Sequence, residues 1–343
     1  MAYISFQPKD YYFTKTYTGN SSTQTFTDIG FQPNMVWIKN RDDTYNHQVH
    51  LAVRDEPYYF LRTNSDTTGD TGSTNTLTAF TSTGFNLGDN GGCNYNNQGN
   101  VAWCWKGGTT SGLSGGTITP SAYNINATAG IGTYKWSGTG SNGTIAHGLG
   151  SGSKYVQVKR IDTAGYNWKG LHSDLASSVE NVYLNLTSAE YGETATFNST
   201  FPDDTVFSIG TNGGTNASGG TYIAWVWCEK KGFSKMGSYK GNGNADGPFV
   251  YTGFRPAYIM TKDREASGNW NIWDNKRKGY NPQEAMLTAN QNAVEQDKDL
   301  DILSNGFKPR DAGQSNESGN THIYMAFAEF PTVSSNDIPG VAR

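Results

Sequence analysis

The sequence carries little charge, few cysteines and no long apolar run. Charged residues make up 16% of the 343 residues and the formal net charge is -4, so the broad basic surface typical of nucleic-acid binding is missing. The cysteines, Cys93, Cys104 and Cys228, have no C-x-x-C spacing, which argues against a disulfide framework and a zinc site. The longest apolar run, Ile223 to Cys228, is too short to cross a bilayer. We therefore expect no nucleic-acid partner, no metal or other cofactor, and no membrane insertion.

The first residues, Met1 to Asp10, also lack the basic stretch and the continuous apolar stretch of an export signal. We therefore expect no cleaved signal peptide and a chain that is made and kept in soluble form.

Glycine and aromatic residues are abundant instead. The chain has 42 glycines and 20 tyrosines, and 13% of its residues are aromatic. Disordered chains are poor in aromatic residues, and here the turn-forming residues are spread along the whole sequence. This composition predicts a folded, turn-rich, all-β protein, and the length suits two or three domains.

One sequence motif occurs three times along the chain. Its first copy includes Met35-Val36-Trp37-Ile38-Lys39, and equivalent stretches end at Lys159 and Lys262. A second stretch, Val101 to Lys106, recurs as Thr221 to Glu229 and as Thr321 to Glu329. Alternation places Trp103 and Trp105 on one face of the closing strand. A threefold repeat of alternating strands predicts three tandem β-sandwich domains with lectin-like jelly-roll character.

The repeats set the expected domain boundaries. We predict the following: an N-terminal arm (1–13), β-sandwich repeat 1 (14–108), a Gly/Ser linker (109–120), repeat 2 (121–231), repeat 3 (232–331) and a C-terminal tail (332–343). Residues 77–88 have the pattern of a hairpin. Residues 181–186 and 283–293 are predicted to be short helices or turns.

The repeat argues against catalytic histidines. His47 follows Asn46, and its counterparts are Trp168 and Trp270, so the position favours a flat ring over a titrating base. The remaining histidines have neither a counterpart in another repeat nor an H-E-x-x-H spacing: His50, His147, His172 and His322. We predict that the protein is not an enzyme. A pair of glycosidase carboxylates needs only spatial proximity, so that alternative stays open.

Alternating aspartates occur at Asp297, Asp299 and Asp301. The stretch lacks the glycine and the glutamate that a calcium loop requires. We therefore predict a solvated strand face rather than a metal site.

Aromatic side chains near turns give one candidate binding surface. Flat rings flanked by amides and hydroxyls suit sugars, because the ring contacts the C–H face and the polar groups bind the hydroxyls. The predicted glycan-binding residues are Trp37, Tyr45, Tyr58, Tyr59, Trp136 and Trp273. At the Trp37 position the other repeats carry Gln157 and Met260, and this drift favours exposure. The alternative is that these rings fill the core or the contacts between domains.

The motifs of repeat 1 resemble a domain found repeatedly in structural proteins of marine tailed bacteriophages. The resemblance is carried by the G-F-x-P-x-x-V-W-I-K-x-R order (residues 30–41), A-V-R (52–54), S-T-G-F-x-L-G (82–88) and V-A-W-C-W-K (101–106). The C-terminal stretch 323–329, with Ser334-Ser335 and the ending 339–343, is similar to the carboxyl end of those proteins. It implies a virion component with lectin-like β-sandwiches and no enzymatic activity.

These observations lead to three functional hypotheses. The first is a non-enzymatic virion protein of the tail or fibre apparatus, assembled in the host cytoplasm, that contacts host-surface polysaccharide alongside other virion proteins. Fibre proteins are commonly trimers, so a homotrimer is the favoured oligomer. The second is a capsid decoration protein, favoured by the lack of a coiled-coil shaft. The third is a polysaccharide-degrading enzyme.

Overall fold

The computed structural model of the chain describes residues 7–330. Antiparallel strands dominate it, so the prediction of an all-β, β-sandwich-like protein is confirmed. None of its helices is long and apolar enough to span a membrane within residues 7–330. The predicted C-terminal tail and the first six residues of the N-terminal arm lie outside the described residues.

Repeat 1 forms a large and a small sheet. Its strands are β1 (Tyr12–Thr18), β2 (Gln24–Phe26), β3 (Pro33–Asn40), β4 (Gln48–Leu51), β5 (Phe60–Leu61), β6 (Leu77–Thr81), β7 (Gly84–Leu87) and β8 (Gly99–Lys106); a 3-10 helix spans Pro8–Asp10 and helix α1 spans Gly91–Asn94. The large sheet has the order β1-β8-β3-β4-β5, and the small sheet has the order β2-β7-β6. The predicted hairpin is confirmed as β6–β7.

Repeat 2 has the same plan with one strand added at each edge of its large sheet. Its elements are β9 (Ala122–Asn126), β10 (Ile131–Ser137), β11 (Gly143–Ala146), β12 (Ser153–Arg160), β13 (Lys169–His172), β14 (Glu180–Tyr183), β15 (Tyr191–Gly192), α2 (Thr194–Phe197), β16 (Val206–Ile209), α3 (Gly213–Asn216) and β17 (Thr221–Cys228). The large sheet has the order β15-β14-β13-β12-β17-β10-β9, and β11 pairs with β16.

Repeat 3 joins both layers into one continuous sheet. Its strands are β18 (Ser234–Lys240), β19 (Val250–Tyr251), β20 (Pro256–Asp263), β21 (Asn271–Asp274), β22 (Gln283–Thr288), β23 (Gln296–Leu303), β24 (Gly306–Pro309) and β25 (Thr321–Ala328). The sheet order is β18-β25-β20-β21-β22-β23-β24-β19. Its first five strands therefore correspond in order to the large sheets of repeats 1 and 2.

The residue register is also shared. Trp37 lies opposite Trp103 in repeat 1, Gln157 lies opposite Trp225 in repeat 2, and Met260 lies opposite Met325 in repeat 3. The paired strands β3 and β8, and likewise β20 and β25, alternate between two apolar layers, as the period-2 pattern predicts. In β3, Trp37 faces the layer shared with other repeats, while Val36 and Ile38 face the small sheet of repeat 1.

The large sheets of all three repeats pack into one central core. Aromatic rings from different repeats contact each other there: Trp37 with Trp225 (6.1 Å between ring centroids), Trp103 with Tyr258 (5.7 Å) and Trp227 with Phe327 (6.4 Å). Buried aromatic surface of this size is a dominant stabilising contribution. The repeats therefore pack as one body around a shared core.

A ring side chain just before β4, β13 and β21 joins each repeat to another. A nitrogen of each ring lies within hydrogen-bonding distance of a backbone oxygen of another repeat. The distances are 2.9 Å from His47 Nε2 to Thr288 O, 2.9 Å from Trp168 Nε1 to Arg62 O, and 2.8 Å from Trp270 Nε1 to Tyr183 O. Repeat 2 reaches repeat 1, repeat 3 reaches repeat 2, and repeat 1 reaches repeat 3. The contacts close a ring with pseudo-threefold symmetry. We call the three boundaries seam 1/2, seam 2/3 and seam 1/3.

Three details differ from the expectations. Within the segments 181–186 and 283–293, predicted as helices or turns, residues 181–183 and 283–288 instead belong to strands β14 and β22, while turns follow at 184–185 and 289–290. The predicted linker 109–120 forms isolated bridges to repeat 2 at Thr109 and Gly116. Strand β1 begins at Tyr12, inside the predicted arm.

Candidate functional site

Two clefts that lie at seams combine aromatic rings with polar groups. The larger is about 390 Å³ and lies at seam 2/3. Its rim carries Phe249 and Tyr251, which are 49% and 58% exposed. They lie on either side of the buried Val250, so the alternation of β19 directs both rings outward. We call this the Tyr251 cleft; it is also lined by Lys154, Ser173, Asp174, Glu229, Lys235, Met236, Gly237, Ser238, Tyr239 and Tyr324.

Charged groups of both signs line the Tyr251 cleft. The Nζ atom of Lys235 lies 5.6 Å from the centre of the Tyr251 ring. Ser238 donates a hydrogen bond to Asp174 (2.8 Å), and Glu229 accepts one from the backbone of Met236 (3.0 Å). The cleft thus offers an exposed ring beside fixed acceptors and a cation, an arrangement suited to hydroxyl-rich ligands.

The second cleft lies at seam 1/2 and is about 340 Å³. Repeat 1 contributes Arg54, Asp55, Tyr59 and Thr71, and repeat 2 contributes Lys135, Ser137, Ile161, Asp162 and Thr221; Ser121 completes the lining. We call it the Tyr59 cleft. Lys135 crosses the seam to pair with Asp55 (2.6 Å). Arg54 and Asp55 also line a neighbouring cleft of about 400 Å³ on repeat 1.

Seams 2/3 and 1/3 carry an Arg–Glu ion pair. At seam 2/3 Arg264 binds Glu190 (3.0 Å). At seam 1/3 Arg41 binds both oxygens of Glu295 (2.7 and 2.8 Å), and Arg277 also binds Glu295 (3.0 Å). Burial alone would raise the pKa of the Glu295 carboxyl, but the two arginines lower it below its ordinary value. These seams are therefore tied by charge as well as by apolar packing.

Three of the predicted glycan-binding residues are buried, so the expectation that they are exposed is wrong. Trp37, Trp136 and Trp273 are 2%, 0% and 1% exposed. Trp37 donates to His47 (2.8 Å), Trp136 stacks on Tyr222 (5.4 Å between centroids), and Trp273 donates to Lys298 O (2.8 Å). Trp37 belongs to the central core, where the ring of Trp225 from repeat 2 stacks on it.

The three tyrosines of the prediction are partly exposed and fall in two places. Tyr58 and Tyr59 pack edge to face (5.1 Å), and Tyr59 lines the Tyr59 cleft. Tyr45 lies elsewhere on repeat 1, with its ring 6.3 Å from that of the exposed Tyr95. The structure therefore places one predicted residue in a cleft and does not bring the six together.

Sequence reasoning missed the Tyr251 cleft. The sequence contained a local signal, the aromatic–aliphatic–aromatic alternation Phe249-Val250-Tyr251, which places the two rings on the face opposite the buried Val250. It also missed a buried asparagine repeated in the pattern G-x-x-N, at Asn94, Asn216 and Asn316. The Oδ1 atom of each accepts from the backbone of an early loop: Asn20 (2.9 Å), Thr139 (2.8 Å) and Asn242 (2.9 Å). These asparagines fix the loops of each repeat.

The histidines and cysteines lie in the interior and line neither cleft. All five histidines are buried, and so are the three cysteines. Burial lowers the pKa of His47 and of His50 to about 3, and it raises the pKa of the Cys228 thiol to about 11. These groups therefore stay neutral near pH 7 and make structural contacts.

Acidic groups are spread rather than gathered. No group of three or more His, Cys, Asp or Glu side chains that could hold a metal ion occurs among residues 7–330. Asp297, Asp299 and Asp301 lie on β23 and are not buried, whereas Leu300 and Ile302 on the other face are buried, as expected for a strand with one solvated face.

Comparisons with known proteins place the chain by sequence. No curated protein and no solved structure matches it. A family model, described as "Domain of unknown function (DUF7483)", matches residues 7–331 and so includes all three repeats. The chain belongs to the DUF7483 family.

Proposed function

We propose that the protein is a non-enzymatic structural component of a bacteriophage virion, part of the tail or fibre apparatus, that binds host-surface glycans at the clefts of its seams. The observation that carries the glycan part is the exposed pair Phe249 and Tyr251 beside the fixed polar groups of the Tyr251 cleft. The virion part rests on the resemblance of the repeat motifs to marine phage structural proteins.

The architecture supports a passive binding role. The repeats share one core and a ring of seam contacts, so the clefts lie on a body held together by packed strands. A preformed site loses little conformational freedom on binding. Several weak sites on an oligomer of the chain, with a trimer favoured, would add avidity without strong affinity at any one site.

Two measurements test the proposal. Antibody labelling of intact particles, imaged by electron microscopy, is expected to mark the tail or its fibres. On a glycan array, Tyr251→Ala is expected to reduce the signal of the recombinant chain about tenfold, because an aromatic ring stacked on a sugar contributes on the order of 1 kcal/mol or more to the binding free energy. Tyr280→Ala is the matched control, since Tyr280 is 64% exposed but lies outside both clefts.

Other outcomes would favour the remaining hypotheses. Label over the whole head would support a capsid decoration protein, which the closed body of residues 7–330 also favours because that body contains no shaft of coiled coil. Release of shorter oligosaccharides from a host polysaccharide would contradict the non-enzymatic proposal.

A further inference from the structure

Arg54 corresponds to an arginine in repeat 3 that is fully ion-paired. Met35 and Tyr258 are equivalent residues, because each lies two residues before the equivalent positions Trp37 and Met260. Leu51 of β4 pairs with Met35, and Asp274 of β21 pairs with Tyr258. Arg54 and Arg277 each follow three residues later. The two arginines therefore occupy equivalent positions in their repeats.

The environment of Arg277 shows what this position binds in repeat 3. Its Nε atom donates to Asp274 (2.6 Å), its Nη1 to Glu295 (3.0 Å) and its Nη2 to the backbone oxygen of Ile272 (3.0 Å). Two carboxylates thus satisfy a guanidinium whose side chain is fully buried. This pairing offsets the free-energy cost of removing the charge from water.

Arg54 has lost both of these carboxylates. Leu51 replaces Asp274, and Gly69 replaces Glu295. The second equivalence follows from two asparagines, Asn64 and Asn290, which accept hydrogen bonds from the backbone N–H groups of the equivalent residues His47 and Trp270. Gly69 and Glu295 each lie five residues after these asparagines. Gly69 lies directly beside the guanidinium, because a Cβ atom added there would be 3.3 Å from Arg54 Nη1.

The Arg54 guanidinium consequently makes no hydrogen bond and no ion pair among residues 7–330, although the Tyr59 ring faces it and Asp55 and Asp70 attract its charge from a greater distance. Its Nη1 atom is shielded from solvent and has no hydrogen-bond acceptor. Burial lowers the pKa of Arg54 to about 10, so the side chain is still charged near neutral pH. A shielded guanidinium nitrogen without an acceptor is costly, so an acceptor from outside the chain would stabilise this side chain.

The acidic side chains nearby are already engaged. Asp55 binds Lys135 (2.6 Å), Asp70 binds Arg62 (3.0 Å), and Asp162 binds Arg160 (2.9 Å). Across the seam, Ile161 occupies the position that Arg41 and Arg264 have at the other seams. The backbone N–H groups of Arg41, Ile161 and Arg264 donate to the first residue of β8, β17 and β25, respectively. The Arg–Glu pair of those seams is thus absent at seam 1/2, and the Tyr59 cleft occupies this boundary.

We propose that the Tyr59 cleft binds the carboxylate of an acidic sugar, a hexuronate unit of a polysaccharide. The carboxylate binds the part of the Arg54 guanidinium that lines the cleft, and the Tyr59 ring, 5.4 Å from the Arg54 guanidinium carbon, contacts the C–H face of the sugar. The hydroxyls of Ser137 and Thr71 line the same cleft. Its volume lies within the range of about 300–1,000 Å³ found for small-molecule sites.

This inference rests on the proposed glycan-binding function and specifies its substrate class. The test uses the full chain and two probes, trigalacturonate and its fully methyl-esterified form, which differ in the charge of the carboxyl groups. We expect calorimetric titration to show at least tenfold tighter binding of the acid than of the ester. Arg54→Gln is expected to weaken binding of the acid to the level of the ester, because truncating one partner of a desolvated charge pair is costly. Arg54→Lys is expected to be intermediate, since it keeps the charge but not the bidentate geometry.

Arg310→Gln is the matched control, because Arg310 pairs with Asp246 and Asp301 outside the clefts. It is expected to bind the acid like the wild-type chain. Equal binding of acid and ester by the wild-type chain would overturn the inference, and this comparison needs no variant to fold. Equal binding of the acid by Arg54→Gln and wild type would also overturn it.

Two further outcomes separate this inference from the proposed function. If the chain binds neutral glycans through Tyr251 but neither probe, the inference fails and the proposed function stands; if it binds no glycan at all, both fail. Arg54-dependent binding of an oligoglutamate peptide as tight as that of trigalacturonate would overturn the sugar assignment in favour of an acidic protein partner.

Discussion

His47 shows how one residue can make a seam sensitive to pH. The Trp37 indole donates to Nδ1 of His47, so the proton of the neutral ring is on Nε2 and is donated to Thr288 O. Protonation of Nδ1 would break the first of these hydrogen bonds. The tryptophans at the equivalent positions, Trp168 and Trp270, carry no such titratable group.

We expect the free energy of unfolding to fall on acidification from about pH 6.5 toward pH 3. The folded-state pKa of His47 and His50 is about 3, below the ordinary value, so the unfolded chain binds more protons in this window and stability decreases as pH falls. His47→Gln keeps an acceptor for Trp37 and a donor for Thr288. Urea unfolding at several pH values should show a shallower pH slope for this variant, by up to about 1.4 kcal/mol per pH unit. An unchanged slope would mean that His47 does not titrate on unfolding.

The Trp37 position explains why part of the candidate site was mispredicted. Its counterparts Gln157 and Met260 differ in size and polarity, which is typical of an exposed position, yet all three are buried. A core shared by three repeats has a fixed volume, so a large side chain from one repeat favours smaller ones from the others. Comparison among repeats therefore separates a shared core from a surface only when the packing between repeats is known.

At the scale of strands, the alternation of apolar and polar residues was sufficient to predict those strands whose contacts lie within one repeat. Alternation predicted β3, β8 and the β6–β7 hairpin correctly, because each strand pairs and packs within its own repeat. It failed for residues 181–183 and 283–288, which belong to β14 and β22 at the seams. There backbone oxygens such as Tyr183 O and Thr288 O accept hydrogen bonds from another repeat, and this pairing leaves no periodic signal in the sequence.

The ion pairs at the seams should differ in strength. Glu295 binds two arginines, and the side chain of Arg277 is fully buried, whereas Glu190 binds a single arginine, Arg264, which also has Glu265 as a partner (3.3 Å). We expect Glu295→Ala to lower the free energy of unfolding by about 3 kcal/mol, because two arginines lose an ion pair and the buried Arg277, although still paired with Asp274, loses the acceptor of its Nη1 atom. Glu190→Ala should cost about 1–2 kcal/mol, as for a hydrogen bond to a charged group. Chemical denaturation of both variants measures the difference, and equal losses would contradict this ranking.

At the scale of the whole molecule, the repeats depend on one another for their cores. The face of repeat 2 that carries Tyr155, Trp168, Trp225 and Trp227 is covered by rings of repeats 1 and 3. Each large apolar side chain contributes about 1.5–3 kcal/mol when buried. Losing several such contacts is comparable to the whole stability of a domain, about 5–15 kcal/mol. A repeat taken alone therefore lacks the partner surfaces that its sequence requires.

We accordingly expect the full chain to unfold in a single cooperative transition, with equal calorimetric and van't Hoff enthalpies. The isolated segment 121–231 is expected to lack a cooperative transition, because its aromatic face would be exposed to water. A chain cleaved once within residues 109–116 is the matched control: it breaks the backbone but keeps every repeat, and the seam contacts Arg41–Glu295 and Lys135–Asp55 should hold the pieces together. Separate transitions in the intact chain, or a cooperatively folded 121–231 segment, would show that the repeats are independent domains and that the ring of seam contacts adds little to stability.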